Sequence, residues 1–539
     1  MGSRLLVWLY TGIMLVTAPQ AKAAWREAQS DHFVIYADDS EKDLRRFAVN
    51  LERYHRALEL ATGRSVPAPS PSNRVTIFVA GDQRDLRQVL DTRSRSIGGI
   101  YIPRAGASRA YVQDIRNRSG RYPHFSTVIL LHEYAHHFLV SSSRFAMPRW
   151  MSEGAAEFFA SALFETDGGI SIGLPAQHRA GELYHATPVT VPELLDPELY
   201  EANRGRRYDA FYGRSWLLYH YLMFNDERAG QLDDYLRRVA DGAAALEAGQ
   251  GAFGDLDLLE REVDRYLDDG RMKSFTIAAE HLPVGDIAIR RLPKGEAKMM
   301  RVRMESQAGV TREQALDLVE DARKIAEDYP RDPGVFTALA EAEFDAGFDQ
   351  RAIAAADTAI AIDPARVNAY VQKGYALFRI AAGIEDPKQA EAAFDAAMEP
   401  FIAVNQREND HPIPLIHYYY SFAERGVEPP ENARLALERA AQLAPFDQRL
   451  WFETAIMQAG EGKIELARAS LQPLAANPHG GKRAEFFRSL IGVLDAAEEG
   501  EPLQLPSDAA AATQELLTDG DLSGQEGARD SADLTTDAP

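Results

Sequence analysis

The sequence predicts two architectures in series: an α+β domain, built as a small sheet followed by helices, and then an all-α array of repeats. Three observations predict this. Short β-rich runs cluster before residue 125. From Ser126 to about Leu267 the apolar residues fall at helical spacing. From about 306 to 498 the chain is almost all helix, and positions recur at a fixed period of 34, as Pro330 to Pro364 and Phe336 to Tyr370.

Met1 to Ala23 reads as a cleavable signal peptide. Arg4 supplies the positive start, Leu5 to Val16 the apolar core, and Ala21-Lys22-Ala23 the small-x-small cleavage site. The core is about a dozen residues, too short to span a bilayer. The mature chain is expected to begin near Ala24, in a secreted or periplasmic setting without a stable membrane span.

Residues 24–284 form the expected first domain. Its strands are His32 to Tyr36, Val75 to Val79, Gly99 to Ile102 and Ala110 to Val112. Asp43 to Ala61 is expected as a helix, with Leu44, Phe47, Leu51, Tyr54 and Leu58 on one stripe. Residues 285–305 read as a hairpin or linker, because Ile287-Ala288-Ile289 and Val302-Arg303-Met304 flank Pro293-Lys294-Gly295-Glu296. Residues 306–498 carry the repeats, with the period broken by insertions between about 378 and 432. Residues 499–539 are an acidic tail; from 501 onward nine acids face one base, Arg529, and aromatics are absent, a composition that disfavours a packed core.

Composition narrows the chemistry. The 539 residues are 45% hydrophobic and 26% charged, as in globular proteins. The charge of 59 − 81 = −22 argues against a general nucleic-acid binder. Cysteine is absent, so no disulfide framework and no cysteine nucleophile exist, and a transition-metal site must use His, Asp or Glu.

The sharpest motif is His132-Glu133-Tyr134-Ala135-His136, set between Val128-Ile129-Leu130-Leu131 and Phe138-Leu139-Val140. On a helix, positions i and i+4 share a face, so His132 and His136 can bind one zinc ion. Glu133 then stands beside the metal, placed to take a proton from zinc-activated water. A third ligand is required. A histidine six residues after His136 would complete one arrangement, but Ser142 stands there. Glu153 follows 17 residues after His136, on what reads as the next helix, begun by Pro148. Glu153 is the expected third ligand, and Glu157, one turn on, the expected hydrogen-bond acceptor for a zinc-binding histidine.

This segment resembles the gluzincins, metallopeptidases with His-Glu-x-x-His on one helix and a ligand Glu on the next. Trp150-Met151-Ser152-Glu153-Gly154-Ala155-Ala156-Glu157 is similar to the run of the peptidase MA-like proteins in that group. The likeness is close over 126–222 and loose over 25–270. It implies a zinc metallopeptidase with Glu153 as third ligand. Phe211-Tyr212-Gly213-Arg214-Ser215 resembles a Tyr-x-Lys-Gly segment of zinc aminopeptidases, which implies that Tyr212 hydrogen-bonds the oxyanion of the tetrahedral intermediate, with Tyr208, four residues earlier, as a competitor for the role. Arg214 and Ser215 replace the lysine and glycine. The Gly-x-Met-Glu-Asn strand of the aminopeptidases is missing, so endopeptidase action is expected rather than aminopeptidase action. A strand around Ala110 to Gln113 is expected to hold substrate as an added strand.

Phe336, Leu339, Ala340, Gly347, Ala352, Ala359 and Pro364 sit at the spacings of the tetratricopeptide repeat, which the C-terminal half resembles. Four or five such repeats imply a surface that recruits peptide substrate or a protein partner. The alternative function is an interaction scaffold with a structural or inactive zinc site. His137 and His220 are expected to be structural, and His417-Tyr418-Tyr419-Tyr420 to be packing between repeats.

Overall fold

The computed structural model describes residues 24–94, 97–115, 123–142, 147–204, 208–477 and 481–503. The expected signal peptide and the tail beyond Leu503 lie outside the described residues.

The first half is a mixed sheet covered by helices. Its early strands are β1 (Arg26–Gln29), β2 (Phe33–Ala37), β3 (Val75–Val79), β4 (Gly99–Ile102) and β5 (Arg109–Val112). Helices α1 (Glu41–Thr62) and α2 (Gln83–Val89) separate them, followed by α3 (Phe125–Ser142) and α4 (Arg149–Ala160). A second, three-stranded sheet joins β6 (Leu163–Phe164), β7 (Ile170–Ile172) and β8 (Phe275–Ile277). Between β7 and β8 run α5 (Ala180–His185), α6 (Val191–Leu195), α7 (Pro197–Asn203) and α8 (Phe211–Phe224). They are followed by α9 (Gln231–Ala240), α10 (Ala245–Phe253) and α11 (Leu256–Asp269).

The main sheet runs β4-β5-β3-β2-β1-β9, where β9 is Ala288–Arg291. Pairs β2–β3 and β3–β5 are parallel and the rest antiparallel. Both faces of the central strands are buried, so side chains alternate between two cores. Phe33, Ile35, Val75, Ile77, Ala110 and Val112 join the core that also holds residues of α1 and α3. Tyr36, Phe78 and Tyr111 point the other way, onto Met300 and Met304. Phe78 is fully buried there, which stabilises by about 1.5–3 kcal/mol.

Met300 and Met304 lie on α12 (Lys294–Ala308), which corrects the reading of 285–305 as a hairpin or linker. Only the first arm is a strand: β9 pairs with β1 and closes one edge of the sheet. The expected second arm is helical, starting after Pro293 at the N-cap. Arg303 lies over the Tyr36 ring at 4.4 Å, and the Tyr111 hydroxyl donates to the Met304 carbonyl at 3.0 Å.

The repeat half continues as helices α13 (Arg312–Asp328), α14 (Pro333–Asp345), α15 (Asp349–Ile362) and α16 (Val367–Ala382). Then follow α17 (Pro387–Arg407), α18 (Pro412–Ala423), α19 (Glu431–Leu443), α20 (Gln448–Gly460), α21 (Ile464–Ala475) and α22 (Gly481–Asp495). Successive helices pack as hairpins. Small residues make the close contacts: Ala340, Ala352, Ala356 and Ala359 are fully buried. The expected insertions resolve into a long α17 of 21 residues, and the hairpin order continues through them. His417 stacks on Phe401 at 4.3 Å and Tyr420 bonds Glu453, as packing requires.

The repeats fold back onto the first half. Ala105, in the β4–β5 turn, donates its N–H to Asp447 at 2.9 Å, and Asn73 donates to the Leu443 carbonyl at 2.8 Å. Phe446 packs against His137 with ring centroids 4.4 Å apart, reaching the helix of the His-Glu-x-x-His motif. Among the described residues no helix is long and apolar enough to cross a membrane.

An ion cluster ties β9 to the repeats. Arg290 bridges Glu27 at 2.6 Å and Glu296 at 2.9 Å, and Arg366 meets Glu296 at 2.9 Å. Burial raises the Glu296 carboxyl, but Arg290 and Arg366 outweigh it and lower it to about 2. Its folded value lies below the unfolded one, so its stabilisation is present above pH 4.5 and is lost as pH falls toward about 2. Acid melting curves of Glu296→Gln are therefore expected to fall less steeply over that window than those of the parent; parallel curves would refute this.

Candidate metal centre

Helices α3 and α4 pack against each other and bring the motif residues together. His124 caps α3, accepting the Ser126 N–H at 3.2 Å. Pro148 stands at the N-cap of α4, whose Glu153 and Glu157 are buried on one face, one turn apart.

The His132 and His136 Nε2 atoms are 3.2 Å apart. Each stands 3.4 Å from Glu153 Oε2. Ligand atoms about 2.0–2.1 Å from a tetrahedral ion lie about 3.3–3.4 Å from one another, so this triangle has the dimensions of one face of a zinc site. The partners behind the rings orient them. His132 Nδ1 faces Glu157 Oε1 at 3.2 Å, and a carboxylate only accepts, so the Nδ1 proton lies there and the Nε2 lone pair faces inward. His136 Nδ1 faces Ser152 Oγ at 3.2 Å. The point between the three atoms favours positive charge. Burial lowers His132, but Glu157 and Glu153 outweigh it and raise the imidazole to about 10. A proton or a metal ion can supply that charge, and a metal ion can accept lone pairs from all three atoms at once. Among the described residues this trio is the one group placed to hold a metal ion.

Glu133 sits half-buried on α3 and outside the converging trio. Burial pushes the Tyr101 phenol up, and the nearby Glu133 charge adds to the shift. Tyr101 meets His137 Nδ1 at 2.6 Å, and burial lowers His137 to about 3, so His137 is a neutral structural residue. His220 is likewise structural, between the Gly173 carbonyl at 2.8 Å and Tyr266 at 2.9 Å.

Tyr212 opens α8, which packs on α4. Its side chain hydrogen-bonds Arg149, which also feels the charge of Glu153. Arg214, the residue replacing the lysine of the resemblance, turns to α11 instead, pairing with Glu260 and with Asp264 at 2.8 Å. The α4–α8 contact depends on Gly154: a Cβ there would stand 2.4 Å from the Ser215 carbonyl oxygen. Gly154→Ala is expected to cost about 1–3 kcal/mol in thermal or denaturant unfolding. An unchanged midpoint would show that the helices separate freely.

The sequence reading missed His178, Arg179 and Glu182. Glu157 Oε2 meets His178 Nε2 at 2.5 Å, and Arg179 approaches Glu157 Oε1 at 2.9 Å through Nε and 2.5 Å through Nη2. Arg179 Nη1 donates to Glu182 at 3.3 Å. Burial raises Glu157, but Arg179, His178 and His132 outweigh it and hold its carboxyl well below the usual range. The strand expected to receive substrate is also corrected: β5 is paired on both sides, with β3 and β4, and has no free edge, whereas β4 is the edge strand.

No protein-family model matches the chain, and no curated protein matches it. Among solved structures, the chain is similar to TTC0263, a thermophilic TPR protein of Thermus thermophilus. The identity is 16%, over 33% of this chain and 90% of that one, with a TM-score of 0.29. It is also similar to MamA from Desulfovibrio magneticus, at 19% identity over 36% of this chain and 96% of that one, with a TM-score of 0.25.

Proposed function

We propose that this chain is an exported zinc-dependent peptidase, acting on internal peptide bonds, with helical repeats that engage substrate or a protein partner. The observation that carries the reading is the convergence of His132 Nε2, His136 Nε2 and Glu153 Oε2 at mutual distances of 3.2–3.4 Å, with Glu133 next to His132 on the same helix. These three residues would hold the ion. When bound, it supplies a Lewis acid that acidifies water and polarises a carbonyl.

The remaining steps belong to the chain. Glu133 accepts a proton at its carboxylate and returns it to the leaving amine. Tyr212 donates its hydroxyl hydrogen to the developing oxyanion. Arginine has donors only, so toward Arg149 the Tyr212 oxygen is the acceptor. Glu157 holds the Nδ1 proton of His132 and fixes the ring.

A second reading, an interaction scaffold with a structural or inactive metal site, is supported by the long array of paired helices. One experiment separates the two. Chain beginning at Ala24 is loaded with zinc beside Glu133→Gln, and both are incubated with a diverse peptide mixture read by mass spectrometry. Cleavage by the parent alone supports the peptidase. No cleavage by either, with zinc bound in both, overturns it in favour of the scaffold.

A further inference from the structure

We propose that Arg179 is a positioning residue that holds the metal-ligating His132 and the phenol of Tyr212 in one frame. The inference rests on the peptidase reading of this site.

Arg179 comes from the segment ahead of α5 and is buried, with side-chain exposure of 6%. All three of its guanidinium nitrogens bond carboxylates of the site. Nε and Nη2 bind Glu157 Oε1, the same oxygen that faces His132 Nδ1 at 3.2 Å. Nη1 binds Glu182 Oε2. Glu182 Oε1 in turn accepts the backbone N–H groups of Tyr212 at 3.0 Å and Gly213 at 3.1 Å. These are donors in the first turn of α8, which has no partners within its own helix for them. The flat face of Arg179 lies over the Tyr212 ring at 4.7 Å. One rigid fork therefore touches the carboxylate behind the ligand, the acid that anchors the first turn of α8, and the aromatic ring itself.

The surroundings are shaped for this contact. Gly213 lets the first turn of α8 come close: a Cβ there would stand 2.9 Å from Leu183 Cγ and 3.6 Å from Arg179 Cβ. The buried cation is balanced by Glu157 and Glu182, which hold it charged despite burial. Lysine carries the charge but not the planar fork, so it cannot serve three directions at once.

The test compares Arg179→Met, Arg179→Lys, Tyr212→Phe and the Arg179→Met/Tyr212→Phe pair in the chain from Ala24. Zinc affinity is read by competition with a chromophoric chelator, and kcat and KM with a peptide the parent cleaves. Arg179→Met is expected to weaken zinc by at least about tenfold, and to lower kcat with little change in KM. In the Tyr212→Phe background the further loss of kcat is expected to shrink, because the part that Arg179 exerts through Tyr212 is already gone. Arg179→Lys is expected to restore the melting temperature while kcat and zinc affinity stay low. Parent-like zinc affinity in Arg179→Met, or kcat losses that add in full, would overturn the proposal. If the parent cleaves no peptide, the peptidase reading fails by itself, and the zinc competition still decides whether Arg179 supports His132. If Arg179→Met does not fold, Arg179→Lys carries the same decision.

Discussion

Glu133→Gln is expected to lower peptide hydrolysis by about 10²–10⁴-fold while zinc affinity stays at the parent value. The amide keeps the size and the hydrogen-bonding oxygen of the carboxylate but cannot take up the proton. Glu133 lies outside the trio of converging ligand atoms, so its loss leaves His132, His136 and Glu153 in place. It is also only half-buried, and glutamine matches its volume, so folding is expected to be unaffected. Kinetics with a cleaved peptide, alongside zinc competition, check both halves of the expectation. A variant as active as the parent would remove Glu133 from the chemistry. A variant that loses zinc would make it a ligand instead.

The parts of the site that were legible in the sequence are those joined by short-range periodicity. His132 and His136 meet because a helix returns to the same face every four residues, and Glu153 and Glu157 share a face of α4 for the same reason. His178, Arg179 and Glu182 are invisible to such reasoning. They reach Glu157 and α8 after the chain has passed through β6 and β7, and no period links them to the motif. The 34-residue recurrence was legible because each hairpin repeats the same close helix contacts. Val302-Arg303-Met304 misled because apolar-polar-apolar fits a strand as well as a helix. What decides is the pairing of Met300 with Met304, four apart, against the far face of the sheet, a tertiary contact the local pattern does not encode.

That contact changes how the repeats relate to the site. A helix at the head of the array forms one wall of the sheet's second core, and the later repeats hold the β4–β5 turn through Asp447 and pack Phe446 against His137. The two halves are thus packed together at the head of the array and again at the turn between α19 and α20, and part of the repeat surface is already covered by this chain. On the proposed reading, a partner engages the surface left open. The contact of Phe446 with His137 also places the repeats one residue from His136.

Glu157→Ala is expected to be the most damaging change to stability, at about 3–5 kcal/mol. The carboxylate is 1% exposed and meets Arg179, His178 and His132 together. Without it, Arg179 keeps only Glu182, at 3.3 Å, as a buried ionic partner among the described residues. At about 2–4 °C per kcal/mol for a unit of this size, the melting temperature falls by about 6–20 °C. Zinc affinity is expected to drop by about 10–100-fold as His132 loses the acceptor that fixes its tautomer. Melting under chelator separates the two effects, since metal linkage is then absent and only the uncompensated charge remains. The pair Glu157→Leu/Arg179→Met is expected to melt above Glu157→Ala, because removing both charges leaves none stranded, yet to bind zinc as weakly. A Glu157→Ala protein with the parent's melting temperature and zinc affinity would mean that water reaches Arg179 and that His132 is oriented by its packing alone.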